Sequence, residues 1–210
     1  MSFFRRDDKA SGGKMVDPSP RNSSGWRDIL AYLKETESLR VLDFGATSSH
    51  NINYLTSMGH SVYMANVVQD AARPEWRKAL DEGGAPEFDV AGFVEANLNF
   101  SGRDFDVVLV WDTADYLPPE LVPALFERLH EVLRPSGRLL AFFHGSAPNP
   151  QTPFARYQLT DSEQLLLLAS GNFPFQKTYQ TRQIEKFLHG YASFRFFLGK
   201  DNIREVIAIR

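Results

Sequence analysis

Cysteine is absent from all 210 residues, which excludes disulfides, thiolate metal sites and thiol nucleophiles together. Long apolar runs are missing as well, and none reaches the roughly 20 residues that a membrane-spanning helix needs. Neither sign of charge dominates: 23 Lys and Arg against 26 Asp and Glu leave a formal net charge of −3. Nucleic-acid binding, which needs clustered cations, is therefore not expected. The five histidines (His50, His60, His130, His144, His189) lack any short His-x-x-x-His spacing, so no metal site is expected. No apolar segment follows Arg5 and Arg6 to act as a secretion signal, and cytoplasmic residence is the expectation.

What is present is a hydrophobic content of 43%, enough to bury the core of one medium-sized domain. Residues 1–24 are polar and rich in Gly, Ser and Pro, and they are expected to form a disordered tail ahead of a single domain over 25–210. Phe3, Phe4, Arg5 and Arg6 could give that tail a protein partner. Trp26, Ile29, Leu30 and Leu33 share one helical face. Arg40 to Phe44 is a short strand ended by Gly45, His50 to Met58 a helix, and Ser61 to Ala65 a second strand. Residues 70–82 are expected as a helix and Phe93-Val94-Glu95 as a third short strand. The run Phe105 to Trp111, apolar and β-branched almost throughout, reads as a strand buried on both faces of a parallel sheet.

Beyond it, Leu121, Leu125, Leu129 and Val132 mark a helix, and Arg138 to Phe143 is another apolar strand. Residues 145–159, with Pro148, Pro150 and Pro153, form a long loop that includes Arg156 and Tyr157; a lid over an acceptor site is its expected role. Thr160-Asp161-Ser162-Glu163 fits a capping box opening a helix through Leu168. Phe173 to Tyr179 is expected as a strand, Gln183 to His189 as a helix and Val206 to Ile209 as a last strand. Phe194, Phe196 and Phe197 are expected to pack in the core. The charged segment Asp201 to Glu205 receives no role. Strands alternating with helices indicate βαβ units and a mainly parallel sheet, an α/β fold.

Ligands of open α/β sheets sit at the carboxyl ends of the strands. There the first strand and turn read Val41-Leu42-Asp43-Phe44-Gly45-Ala46-Thr47-Ser48-Ser49, followed by a helix. This resembles the first motif of the class I S-adenosyl-L-methionine (SAM) dependent methyltransferases, Val-Leu-Asp-x-Gly-x-Gly-x-Gly. The resemblance continues through Ser61 to Asn66, Phe93 to Leu98, Phe105 to Asp112 and Leu133-Arg134-Pro135-Ser136-Gly137-Arg138-Leu139, in the family's order. It implies a three-layer Rossmann-like fold whose mainly parallel seven-stranded sheet carries an antiparallel C-terminal strand. It also implies SAM as cofactor and a small-molecule methyl acceptor.

By resemblance, Asp43, Gly45, Ala46, Thr47 and Ser49 would hold the methionine part of SAM, Asn66 the ribose, and Asn97 and Leu98 the adenine, with Trp111 beside them. Asp112, Asp115 and His144 are the candidates for a general base, needed only where the acceptor must lose a proton. The chain departs from the motif at Thr47 and Ser49, which stand where the family has glycine, and at Asn66, which stands where it has an acid. Those departures leave open a methyltransferase-like protein that binds or assembles without catalysis. A nicotinamide dehydrogenase would need Gly-x-Gly-x-x-Gly and an acid ending the second strand, and neither is present.

Overall fold

Period-two alternation along the apolar strands sets the architecture. The computed structural model describes residues 18–78 and 86–210. Its elements begin with β1 (Ser19–Asn22), α1 (Ser24–Glu35), β2 (Arg40–Asp43), α2 (Ser49–Ser57), β3 (Ser61–Met64), α3 (Val67–Ala71), β4 (Arg77–Lys78) and β5 (Glu87–Phe88). They continue with α4 (Val90–Asn97), β6 (Phe105–Trp111), α5 (Thr113–Tyr116), α6 (Leu121–Val132), β7 (Leu133–His144) and β8 (Ala155–Gln158). The last are β9 (Gln164–Ala169), α7 (Thr181–Phe187), β10 (Ser193–Leu198) and β11 (Ile203–Ile209).

The main sheet runs in the order β10-β11-β7-β6-β2-β3. β3, β2, β6 and β7 are parallel, whereas β11 pairs antiparallel with β7 and with β10. Side chains of β6 separate by parity: Val108 and Val110 enter one apolar cluster, and Val107, Leu109 and Trp111 the other. The first cluster takes α6 through Leu121, Leu125 and Leu129, with Phe93 of α4 and Ile184 of α7. The second takes Trp26, Ile29, Leu30 and Leu33 of α1 and Leu55 of α2. Helices on both sheet faces complete three layers.

Several expectations are corrected here. Six strands, not seven, form the main sheet among the described residues, because Phe93-Val94-Glu95 lies in α4. Asp89 caps that helix by accepting from the Gly92 amide at 3.1 Å, and Phe93 fills the core from it. Residues expected as one helix over 70–82 instead end α3 at Ala71, make a single 3-10 turn at Pro74–Trp76 and enter β4; residues 79–85 lie outside the described ones. The capping box at Thr160 opens no helix: Gln164–Ala169 is strand β9, paired antiparallel with β1 and β8 in a separate three-stranded sheet. Phe173 to Tyr179 carries no regular structure, whereas Phe194, Phe196 and Phe197 lie on β10, with Phe194 exposed.

The tail expected over 1–24 is corrected in its last residues, which form β1 and begin α1; residues 1–17, with Phe3, Phe4, Arg5 and Arg6, lie outside the described residues. Charge explains the anchoring. Buried Arg21 donates from Nη1 to Glu205 Oε1 at 2.7 Å and from Nε to Asp201 Oδ2 at 2.6 Å. Glu205 Oε2 also accepts from Ser23 Oγ at 2.9 Å and the Gly25 amide at 2.6 Å, placing a carboxylate at the start of α1. A Cβ on Gly25 would lie 2.5 Å from Leu140 Cδ1 and 2.9 Å from Glu205 Oε2, so only glycine permits this approach. The segment Asp201 to Glu205 thus locks the first strand to the last.

Replacing Glu205 by alanine removes the partner of three donors, the buried Arg21 guanidinium, the Ser23 hydroxyl and the Gly25 amide. A loss of about 3–5 kcal/mol in unfolding free energy is expected, read from urea midpoints.

Candidate active site

At the carboxyl edge of the sheet, β2 delivers Asp43 and β6 delivers Trp111 onto the same face. Asp43 is 1% exposed. Its Oδ1 accepts from the Trp111 indole Nε1 at 2.6 Å and its Oδ2 from Asn51 Nδ2 at 3.2 Å. Burial pushes the carboxyl up to about 6, although both hydrogen bonds pull the other way. Gly45 lies against this pair; a Cβ there would sit 3.2 Å from Asp43 Oδ1 and 3.4 Å from Trp111 Cδ1. Trp111 holds φ at +52°, a left-handed conformation costing about 1–3 kcal/mol in a bulky residue, beside an irregularity in the β6–β7 register.

Over this corner lies β8. The Tyr157 ring stacks on Trp111 with centroids 5.0 Å apart and planes 10° from parallel, and Phe142 meets both edge-on. Asn51, the third residue of α2, ties the layers together. Its amide nitrogen also donates to the Tyr157 carbonyl at 2.9 Å, while its oxygen accepts from the Leu159 amide at 3.0 Å. Arg156 Nη1 reaches the Thr47 carbonyl at 3.4 Å. The segment expected as a lid therefore rests on the turn after β2.

The remaining candidates divide. Ala46 is buried, and Thr47 and Ser49 are exposed on the rim while Ser48 caps α2 by accepting from the Asn51 amide at 3.2 Å. Asn66 is partly exposed and caps α3, accepting from the Gln69 amide at 3.4 Å. Asn97 donates to its own helix at the Phe93 carbonyl, 3.1 Å away, and Leu98 is buried in the core. These last two are not brought to the Asp43 corner by any recorded contact. Sequence reasoning misses Asn51 and Arg21 and gives Glu205 no role, since their partners lie more than a hundred residues away; Tyr157 enters it only as part of the expected lid.

Asp112, Asp115 and His144 are brought together. His144 Nδ1 lies 2.9 Å from Asp115 Oδ2, which also accepts from the His144 amide at 2.7 Å, and Nε2 stands 4.0 Å from Asp112 Oδ2. Both aspartates are buried, and the Oδ1 of each has no hydrogen-bond partner. Burial raises Asp112 to about 6; the His144 charge opposes this, Asp115 adds to it, and the Tyr157 hydroxyl opposes it. Asp115 is raised too, mainly by burial. Burial disfavours the His144 imidazolium, but the Asp115 hydrogen bond and the charges of Asp112 and Asp115 outweigh it and hold His144 above its ordinary value. With Nδ1–H on Asp115, Nε2 is the free position. His144 also lines a cleft of about 1010 Å³ with Arg21, Ser146, Glu163, Lys200 and Asp201.

Residues 42–141 match the methyltransferase domain family. The matched stretch runs from β2 into β7, the parallel part of the main sheet. A structure of TehB from Haemophilus influenzae is 15% identical, with a TM-score of 0.50; the match covers 87% of this chain but only 61% of that one. A SAM-dependent methyltransferase from Methanosarcina mazei is also 15% identical at a TM-score of 0.50, over 86% of this chain and 96% of that one. At this identity the two structures support the fold alone. A search of curated protein sequences finds no match. No helix among the described residues is long and apolar enough to cross a membrane.

The resemblance to class I methyltransferases implies S-adenosyl-L-methionine as cofactor. Thr47 and Ser49, which the resemblance places at the methionine part, are exposed, and Asn66, which it places at the ribose, is partly exposed. The methionine end does not fit the chain as folded. Both Asp43 oxygens are engaged, and the carboxylate is buried.

Two measurements test these electrostatics. In an NMR titration, His144 is expected to ionise above its ordinary value in the wild type and to fall in Asp115→Asn. Asp43 and Asp112 bind protons more tightly folded than unfolded, so stability should decline as pH rises from about 4 through about 6, by up to roughly 2–3 kcal/mol per group. Thermal melts across that window should lose part of this slope in Asp112→Asn.

Proposed function

We propose that this chain is a SAM-dependent methyltransferase whose acceptor is a small molecule bearing an ionisable O–H or N–H, docked in the cleft beside His144. The observation that carries this reading is His144, held by the buried Asp115 and lining that cleft at the carboxyl end of β7. Asp115 fixes the imidazole through Nδ1 and through the His144 backbone, leaving Nε2 as the nitrogen that can take the acceptor's proton. The acceptor's proton passes to Nε2, and the Asp115 carboxylate stabilises the imidazolium so formed. Asp112, 4.0 Å from Nε2, adds a second charge favouring that state. The cleft offers both signs, Lys200 and Glu163, which suits a polar acceptor.

A second reading, a methyltransferase-like binding or assembly module without catalysis, is favoured by the engaged Asp43 carboxylate and by Thr47 and Ser49 in the glycine positions. The experiment is a transfer assay with radiolabelled SAM and a panel of small phenols and amines. Product is expected from the wild type, with a reduction of about 100-fold or more in kcat in His144→Ala and little change in acceptor KM. The wild-type rate should rise with pH as His144 loses its proton. Equal product from His144→Ala removes the base, and no product with any acceptor favours the second reading.

A further inference from the structure

We infer that the donor pocket is self-occluded: Tyr157, carried by β8 and stacked on Trp111, fills the place of the methionine end of the cofactor, and β8 must lift before SAM binds. The inference rests on the methyltransferase reading, and it accounts for the misfit at Asp43. Three kinds of contact make the plug. An aromatic pair, 5.0 Å between centroids, covers the Trp111 ring that lies against Gly45 and brings the Tyr157 hydroxyl beside Asp112. The Asp43 carboxylate, which the resemblance assigns to the methionine ammonium, is satisfied instead by the Trp111 indole at 2.6 Å. Asn51 then clamps plug and carboxylate together, donating to Asp43 Oδ2 and to the Tyr157 carbonyl and accepting from the Leu159 amide.

The clamp is local and reversible in kind. Arg156 holds the turn only through a 3.4 Å contact to the Thr47 carbonyl, and its buried Nε has no partner. Trp111 sits in a left-handed conformation that a change at this corner could relieve. Among the described residues β8 pairs with β9 alone, in a sheet separate from the main one, so it can move without unpairing the main sheet. Unpaired from Trp111, Asp43 offers the carboxylate that a cationic ammonium needs. The occluder is thus held by the group the cofactor would claim.

A closed pocket weakens apparent affinity by the fraction of time it is open, so a plug in place nine times in ten costs about tenfold. S-adenosylhomocysteine is the probe, with binding measured calorimetrically on the full chain. Tyr157→Ala is expected to bind it at least about tenfold tighter than the wild type. A folded Tyr157→Ala with unchanged affinity overturns the inference. Because that variant may lose packing, amide exchange on the wild type decides independently: saturating S-adenosylhomocysteine should expose the Leu159 amide and its neighbours in 155–160. Binding with protection there unchanged overturns the plug and leaves the methyltransferase reading intact. Absence of binding by the wild type and by every folded Tyr157 variant overturns both.

Discussion

A carboxylate withdrawn from water survives only where donors meet it, and Asp43 meets two, from Trp111 and Asn51. Much of the carboxyl edge is arranged around that requirement. Trp111 must turn its indole N–H toward β2, which holds its backbone at φ +52° and presents a flat ring to Tyr157. Asn51 must sit at the start of α2, which Ser48 secures by capping. Because the same amide group bonds the Tyr157 carbonyl and the Leu159 amide, the position of β8 follows from the fate of one carboxylate.

The neighbouring cleft obeys a different balance. Asp112 and Asp115 leave one oxygen each without a partner, so their burial is incompletely offset and the imidazole between them is the group that relieves it. An arrangement of that kind favours taking up a proton. The two corners communicate through Tyr157, whose ring covers Trp111 and whose hydroxyl approaches Asp112. Arg21 and Glu205 frame the far wall of the cleft while holding β1 against β11. The cleft beside His144 is therefore walled by segments from β1 and from the start of β11.

How much of this the sequence reveals depends on the range of the forces involved. β2, β6 and β7 were legible because strands buried on both faces show as unbroken apolar runs, and α1 and α6 because their stripes repeat at helical spacing. Phe93-Val94-Glu95 misled: three residues carry too little pattern, and Asp89 capping decides for helix. Leu165 to Leu168 has no period at all, so pairing with Ser19–Asn22 on one side and Ala155–Gln158 on the other made it a strand. Asp112, Asp115 and His144 could be named singly from their strand ends, but their proximity could not. Tyr157 stands out only as part of a Pro-rich segment, and nothing local marks Asn51, whose significance lies in contacts across the fold.

The most direct measurement is a crystal structure of the chain with S-adenosylhomocysteine bound. The account requires the ligand's ammonium near Asp43, with the Tyr157 ring displaced from Trp111 and the Asn51 clamp opened. A ligand seated in the turn after β2 with the Tyr157–Trp111 stack and the Asp43–Trp111 hydrogen bond intact would contradict it.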